Sequence, residues 1–270
     1  MATAQAAVGV KEEEKSTQEI GSLKKEEKET SANPKGGEVL FCGATLWEVV
    51  GRKNVDFSAT NLVSPTRLRS LMGISISFVA AGCASNHCVA LDVDGRCYTW
   101  GRNEKGQLGH GDLIQRDKPT LVSGLSNYKI VKATSGKQHT VVVTEDAISL
   151  AFGLNKHGQL GTGTSKNEVE SSPVRCLVTQ VTNASCGAEF TVWLSTVEGS
   201  SILTAGLPQY GQLGHGTDNE YNAKESSVKL AYEAQPRPRA IVTLSGKTIT
   251  KVACGSNHTV AVDSDGYVYT

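Results

Sequence analysis

The chain lacks any excess of charge, with 27 basic residues against 27 acidic ones in 270. Nothing in that balance draws it to nucleic acid or to an anionic membrane surface. It has no apolar run of the ~18 residues that a membrane-spanning helix needs. The opening MATAQAAVGVKEEEK has neither the apolar core of a secretory signal nor the acid-free, arginine-rich character of a transit peptide. The seven cysteines are odd in number and contain no C-x-x-C spacing. Most fall in predicted strands, so they read as small buried residues in a reducing compartment, the cytoplasm or nucleus, rather than as a disulfide set or a zinc site. No Ser/His/Asp set or carboxylate pair rises above background, which points away from hydrolase and transferase chemistry. Nothing calls for a cofactor, a metal or a small-molecule substrate.

What the sequence does have is glycine, 28 residues of it, and the glycines recur. Gly106-Gln107-Leu108-Gly109 returns as Gly158-Gln159-Leu160-Gly161 and as Gly211-Gln212-Leu213-Gly214, at spacings of 52 and 53 residues. In each copy another glycine, Gly101, Gly153 or Gly206, lies eight positions before the last one. A fixed period of about 50 residues marks a propeller or a similar array. The repeated glycines read as turn residues with positive φ or close backbone approach, and Leu108, Leu160 and Leu213 as core plugs.

A second register of repeats runs through His87, His139 and His258, with Phe190 substituting in the third copy. Val89, Val141, Val192 and Val260 follow two residues later, giving the period-two alternation of a strand. Asp94-Gly95 and Asp265-Gly266 then supply hairpin turns. With the apolar segments 76–81 and 119–125, each repeat provides four short strands, one propeller blade. Full repeats are expected at about 77–127, 130–178 and 180–247, after a partial blade at 38–75 and before an incomplete repeat at 249–270. Residues 1–37 are crowded with Lys and Glu and poor in large apolar residues, and read as a disordered tail. The expected class is therefore all-β, about half of a larger propeller made of four-stranded antiparallel blades.

The histidines occupy one equivalent position in different blades, so each reads as a hydrogen-bonded structural residue rather than a metal ligand. Gly246-Lys247-Thr248 ends like a phosphate loop, but Ile241 stands where that motif needs its first glycine. Partner contacts belong on the loops that vary between blades. The candidates are 112–118, with Asp112, Arg116, Asp117 and Lys118, then 165–170 and the insert 218–239.

The strand Gly136-Lys137-Gln138-His139-Thr140, its copy Gly255-Ser256-Asn257-His258-Thr259, and the turn running from Trp100-Gly101-Arg102-Asn103 to Gly109 resemble the regulator-of-chromosome-condensation family of seven-bladed β-propellers. The opening FCGATLWEVVGRK resembles the start of the propeller in a mitotic, centromere- and microtubule-associated branch of that family. The resemblance implies partners among small GTPases of the Ran or Rac type, with chromatin or microtubules as further candidates. It implies three alternatives for activity: an interaction scaffold or GTPase regulator, a guanine-nucleotide exchange factor, or an inactive truncated product whose blades do not close a ring. Exchange requires no catalytic acid or base, only a surface that favours the nucleotide-free GTPase.

Overall fold

The computed structural model describes residues 36–43, 62–80, 82, 84–197, 201–223 and 230–270. Residues 1–35 of the tail and most of the FCGATLWEVVGRK segment lie outside the described residues, as does the tip of the insert. All described residues belong to one unit, Gly36–Thr270.

The first strands are β1 (Leu40–Gly43) and β2 (Leu62–Arg67), an antiparallel pair with Gly43 opposite Leu62. Blade 1 follows as β3 (Ile76–Ala80), β4 (His87–Asp92), β5 (Cys97–Gly101) and β6 (Arg116–Leu121). Blade 2 is β7 (Ile130–Ser135), β8 (His139–Thr144), β9 (Ser149–Leu154) and β10 (Val169–Arg175). Blade 3 contains β11 (Val181–Cys186), β12 (Phe190–Ser195), β13 (Ile202–Gly206) and, after a two-stranded hairpin of β14 (Glu220–Asn222) and β15 (Leu230–Tyr232), β16 (Gln235–Ala240). Blade 4 has β17 (Ile249–Cys254), β18 (Thr259–Asp263) and β19 (Val268–Tyr269). Every pairing is antiparallel. The all-β class and the four-stranded blades are those the repeats predict.

The core lies between blades rather than inside any one of them. The alternation along β4 turns Val89 and Leu91 toward blade 2, where Ala133, Val142, Leu150 and Phe152 face back. Blades 2 and 3 meet through Val141, Val143 and Ala151 on one side and Trp193 and Ala205 on the other. Blades 3 and 4 meet through Val192, Leu194, Ile249 and Ala261. Strands β8 and β12 are consequently buried along their whole length, because both of their faces meet a neighbouring blade. Each fully buried aliphatic side chain contributes roughly 1.5–3 kcal/mol at these seams.

The third repeat departs from the others in a compensated way. Phe152 stacks over Gly109 of the preceding blade, so that a Cβ there would come 2.9 Å from its ring. The residue at the Phe152 position of blade 3 is Ala205, and the Trp193 ring reaches Gly161 instead. The large residue has moved from β13 to the neighbouring strand β12.

Two boundaries differ from the sequence expectation. The fourth strand of blade 1 spans Arg116–Leu121, and Ser123–Leu125, expected as its continuation, forms a 3-10 turn that buries Leu125. The insert of blade 3 ends before Gln235, because Gln235–Ala240 is the outer strand β16 despite holding two prolines. Pro119, Pro173 and Pro238 stand one residue before the partners of Thr99, Ala151 and Thr204. On an outermost strand a missing N–H costs no ladder bond and blunts edge-to-edge pairing. No helix among the described residues is long and apolar enough to cross a membrane.

Candidate functional site

The repeated loop is held by its own side chains. Gln107 Oε1 accepts from the Lys105 N–H at 2.9 Å, Gln159 Oε1 from His157 at 2.9 Å and Gln212 Oε1 from Tyr210 at 2.7 Å. Asn103 Oδ1 accepts from Leu108 N, and Asn155 Oδ1 from Leu160 N, while blade 3 has Pro208 at that position. Leu108, Leu160 and Leu213 are fully buried. Gly101 (φ +112°), Gly153 (φ +115°) and Gly206 (φ +126°) adopt a backbone that L side chains avoid, each packed against the start of the neighbouring strand. Gly106, Gly158 and Gly211, and Gly109, Gly161 and Gly214, likewise have positive φ.

The repeat histidines are not brought together as a cluster. His87 Nε2 lies 2.6 Å from Thr140 Oγ1 of blade 2, and Thr140 Oγ1 donates back to the Gln107 carbonyl at 2.8 Å. Since the hydroxyl proton is committed to that carbonyl, the hydroxyl accepts from His87, whose Nε2 carries the hydrogen. His139, Thr191 and Gln159 repeat the arrangement one blade on, at 3.0 and 2.7 Å. Burial pushes both imidazoles down to about 3, so they are neutral latches rather than acids or bases. In blade 3 the latch lacks its histidine, and Thr259 Oγ1 still donates to Gln212 O at 2.8 Å. His258 is exposed. Gly136 and Gly187 leave room for the ring three residues later, since a Cβ would collide with His139 or Phe190.

A second histidine set was not expected from the repeats. His110 Nε2 lies 3.0 Å from Thr99 Oγ1, which donates to Leu108 O at 2.8 Å. His215 and Thr204 do the same at 2.8 and 2.7 Å. Burial lowers both imidazoles, His110 to about 4. In blade 2 the pair is Ala151 and Thr162, changed together. The signal was present in the recurrence of Gly-His-Gly at 109–111 and 214–216. Cys97, Cys176 and Cys186 are buried, and burial pushes each thiol up to about 12. Among the described residues no group of His, Cys, Asp and Glu is placed to hold a metal ion.

Antiparallel order puts the turn after each first strand and the loop after each third strand on the same rim. Backbone bonds from Arg102 N to Asn86 O, Leu154 N to Gln138 O and Leu207 N to Glu189 O join them, and His157 Nε2 approaches Glu189 Oε2 to 3.6 Å across blades. The expected contact residues divide on this rim. Asp112 is engaged inward, both carboxylate oxygens meeting the Arg116 guanidinium at 3.0 and 2.9 Å, and that pairing holds its carboxyl down at about 2. Arg116, Asp117 and Lys118 belong to strand β6 rather than to a loop, with Asp117 and Lys118 exposed. The β14–β15 hairpin rises from the same rim of blade 3, with Tyr221 and Leu230 about half exposed.

Four-stranded blades latched in series through a Gly-Gln-Leu-Gly loop define a repeat β-propeller. The chain belongs to the family of the regulator of chromosome condensation (RCC1) repeat, whose pattern matches residues 94–143, 150–194 and 201–262, with a second pattern of that repeat at 76–107. It is 36% identical over 253 residues to human protein RCC2, covering 87% of this chain and 48% of that protein. The RCC2 homolog of Xenopus laevis is 35% identical over 255 residues, with 87% and 49% covered. The chain thus spans about half the length of these relatives. Among solved structures, human WBSCR16 superposes with a TM-score of 0.68 at 23% identity, covering 86% of this chain and 56% of that one. Yeast RCC1 (Prp20) bound to Kap60 gives 0.64 at 23% identity, with 81% and 50% covered.

Proposed function

We propose that the chain is an interaction scaffold that regulates a small GTPase of the Ran or Rac type, in the cytoplasm or nucleus. The observation that carries this reading is the asymmetry of the rim. The strand frame, latches and glycine loops repeat from blade to blade, while the segments after the third strands differ in length and chemistry, which is where binding surfaces are built. The solved relative Prp20p has been studied for binding to Gsp1p and histones, which supports a protein ligand for this chain. Titrating the chain against Ran-, Rac- and Rab-type GTPases in nucleotide-free, GDP and GTP forms tests the proposal. Saturable binding to one of them is expected, and absence of binding to every member in every form refutes it.

A second reading, guanine-nucleotide exchange, rests on the hairpin. β14 and β15 are the one described addition to the blade plan that has secondary structure of its own. An exchange factor acts by binding the nucleotide-free state more tightly than the loaded one. Release of fluorescent GDP should then accelerate with the chain present and slow when 218–234 is deleted. Binding without acceleration would leave the scaffold reading and remove this one.

A further inference from the structure

We infer that Leu113 and Ile114 form a rigid apolar anchor on the rim of blade 1, made to enter an apolar cleft in an acidic face of the GTPase. This rests on the GTPase reading above. Leu113 is 54% exposed and Ile114 68%. Exposed aliphatic residues are commonplace singly, but these two are consecutive and their backbone is braced on every side. Asn103 Nδ2 donates to Asp112 O at 3.0 Å and to Ile114 O at 3.1 Å, Arg116 Nη1 donates to Ile114 O at 2.7 Å, and Asp112 Oδ1 accepts from Ile114 N at 2.9 Å. Gly111 N donates across the seam to Ser171 O at 2.8 Å.

Blade 2 supplies an internal control for what that frame requires. Asn155 Nδ2 likewise donates to Thr164 O at 2.9 Å and, one position further on than in blade 1, to Asn167 O at 3.3 Å, and Ser165 and Lys166 stand at the positions of Leu113 and Ile114. The loop therefore folds with polar residues where blade 1 has Leu-Ile, so folding does not explain the apolar pair. A loop already ordered gives up little conformational entropy on binding, which makes such a pair an efficient contact.

The surrounding charge indicates the occupant. The rim segments of blades 1 and 2 carry Lys105, Lys137, Lys156 and Lys166 beside the Arg102–Glu104 pair. Of the acids there, Asp112 is paired with Arg116 and Glu104 lies 3.9 Å from Arg102, leaving Glu168. This side of the rim is basic. Among the described residues, the same rim of blade 3 presents Glu189, Asp218, Glu220 and Glu233, so an acidic partner face fits better over blades 1 and 2 than over blade 3.

The test uses the whole chain and the GTPase that binds most tightly in the panel above. The exchange Leu113→Ser with Ile114→Asn makes both positions polar, as Ser165 and Lys166 are in blade 2, without adding a charge, so the melting temperature should not change. Affinity should fall by ~10-fold or more. The pair Lys156→Glu and Lys166→Glu should slow association and flatten its salt dependence. If the Ser/Asn variant binds within about twofold of the parent, the anchor is wrong while the GTPase reading stands. If the parent binds no GTPase, both fall.

Discussion

His139 Nε2 lies 3.0 Å from Thr191 Oγ1 across the seam between blades 2 and 3, and the Thr191 hydroxyl turns back to donate to the Gln159 carbonyl of blade 2 at 2.7 Å. One hydroxyl thus ties a strand and a loop of one blade to the next. The same three-residue unit joins His87, Thr140 and Gln107. Interblade packing supplies most of the cohesion, and this unit fixes the register at which that packing occurs.

Thr191→Val keeps the shape and removes the hydroxyl, leaving the His139 N–H and the Gln159 carbonyl buried without it. A cost of about 2–4 kcal/mol is expected. His139→Phe should be milder, near 1 kcal/mol, since Phe190 already fills that position in blade 3 while Thr259 keeps its bond to Gln212. Urea unfolding midpoints compare the two. Equal losses would mean that the hydroxyl does not connect the blades.

The same latches set a pH dependence. Folded His87 and His139 have pKa values near 3, below the ordinary 6.5. Between about pH 6.5 and pH 3 the unfolded chain therefore binds protons that the folded chain does not, and stability falls as pH drops through that window. Each histidine contributes a slope of about 1.4 kcal/mol per pH unit there. Thermal melts from pH 7 to pH 4 should show the loss, and His139→Phe should reduce its slope. An unchanged slope would show that His139 does not contribute.

Glycines of one conformation differ in what surrounds them. Gly109 (φ +75°) faces Phe152, whereas at Gly216 (φ +78°) a Cβ would meet nothing within 4 Å. Alanine at 216 should cost about 1 kcal/mol for the backbone alone. At 109 the Phe152 ring must also move, for a total of about 2–4 kcal/mol. Denaturant midpoints for the two variants measure the difference, and parity would remove the packing role assigned to Phe152.

The period of the Gly-Gln-Leu-Gly loop made the blades legible, since a turn that recurs in register with alternating strands has few other solutions. Of the three repeat histidines, His87 and His139 meet a threonine of the next blade, while His258 is exposed. These threonine partners were not legible, because Thr140 and Thr191 lie a full repeat away and look locally like small residues on the other face of a strand. Residues 235–239 fall in the insert 218–239 of the sequence reading, and their two prolines fit a strand only at an outermost position. Arg116 is a candidate contact residue because 112–118 reads as a variable loop, whereas it begins strand β6. Its guanidinium is occupied by Asp112, a local pairing four residues apart that composition cannot distinguish from an exposed ion. The exposure of Leu113 and Ile114 depended on which loop atoms face inward, and repeat spacing does not encode that.

The second histidine set offers the sharpest test of whether repeats change in pairs. Thr99 with His110 and Thr204 with His215 are hydrogen-bonded, while blade 2 has Ala151 with Thr162. Thr99→Ala alone strands the His110 N–H, and His110→Thr alone leaves the accepting lone pair of a fully buried Thr99 hydroxyl unused. The double variant reproduces the blade 2 combination, in which Thr162 Oγ1 donates to Thr164 O at 3.0 Å. It should therefore be less destabilised than the sum of the single changes by about 1 kcal/mol, the coupling expected of residues in contact. A double-mutant cycle on unfolding free energies measures this directly. Strict additivity would mean that the two positions change independently and that blade 2 differs from its neighbours by chance.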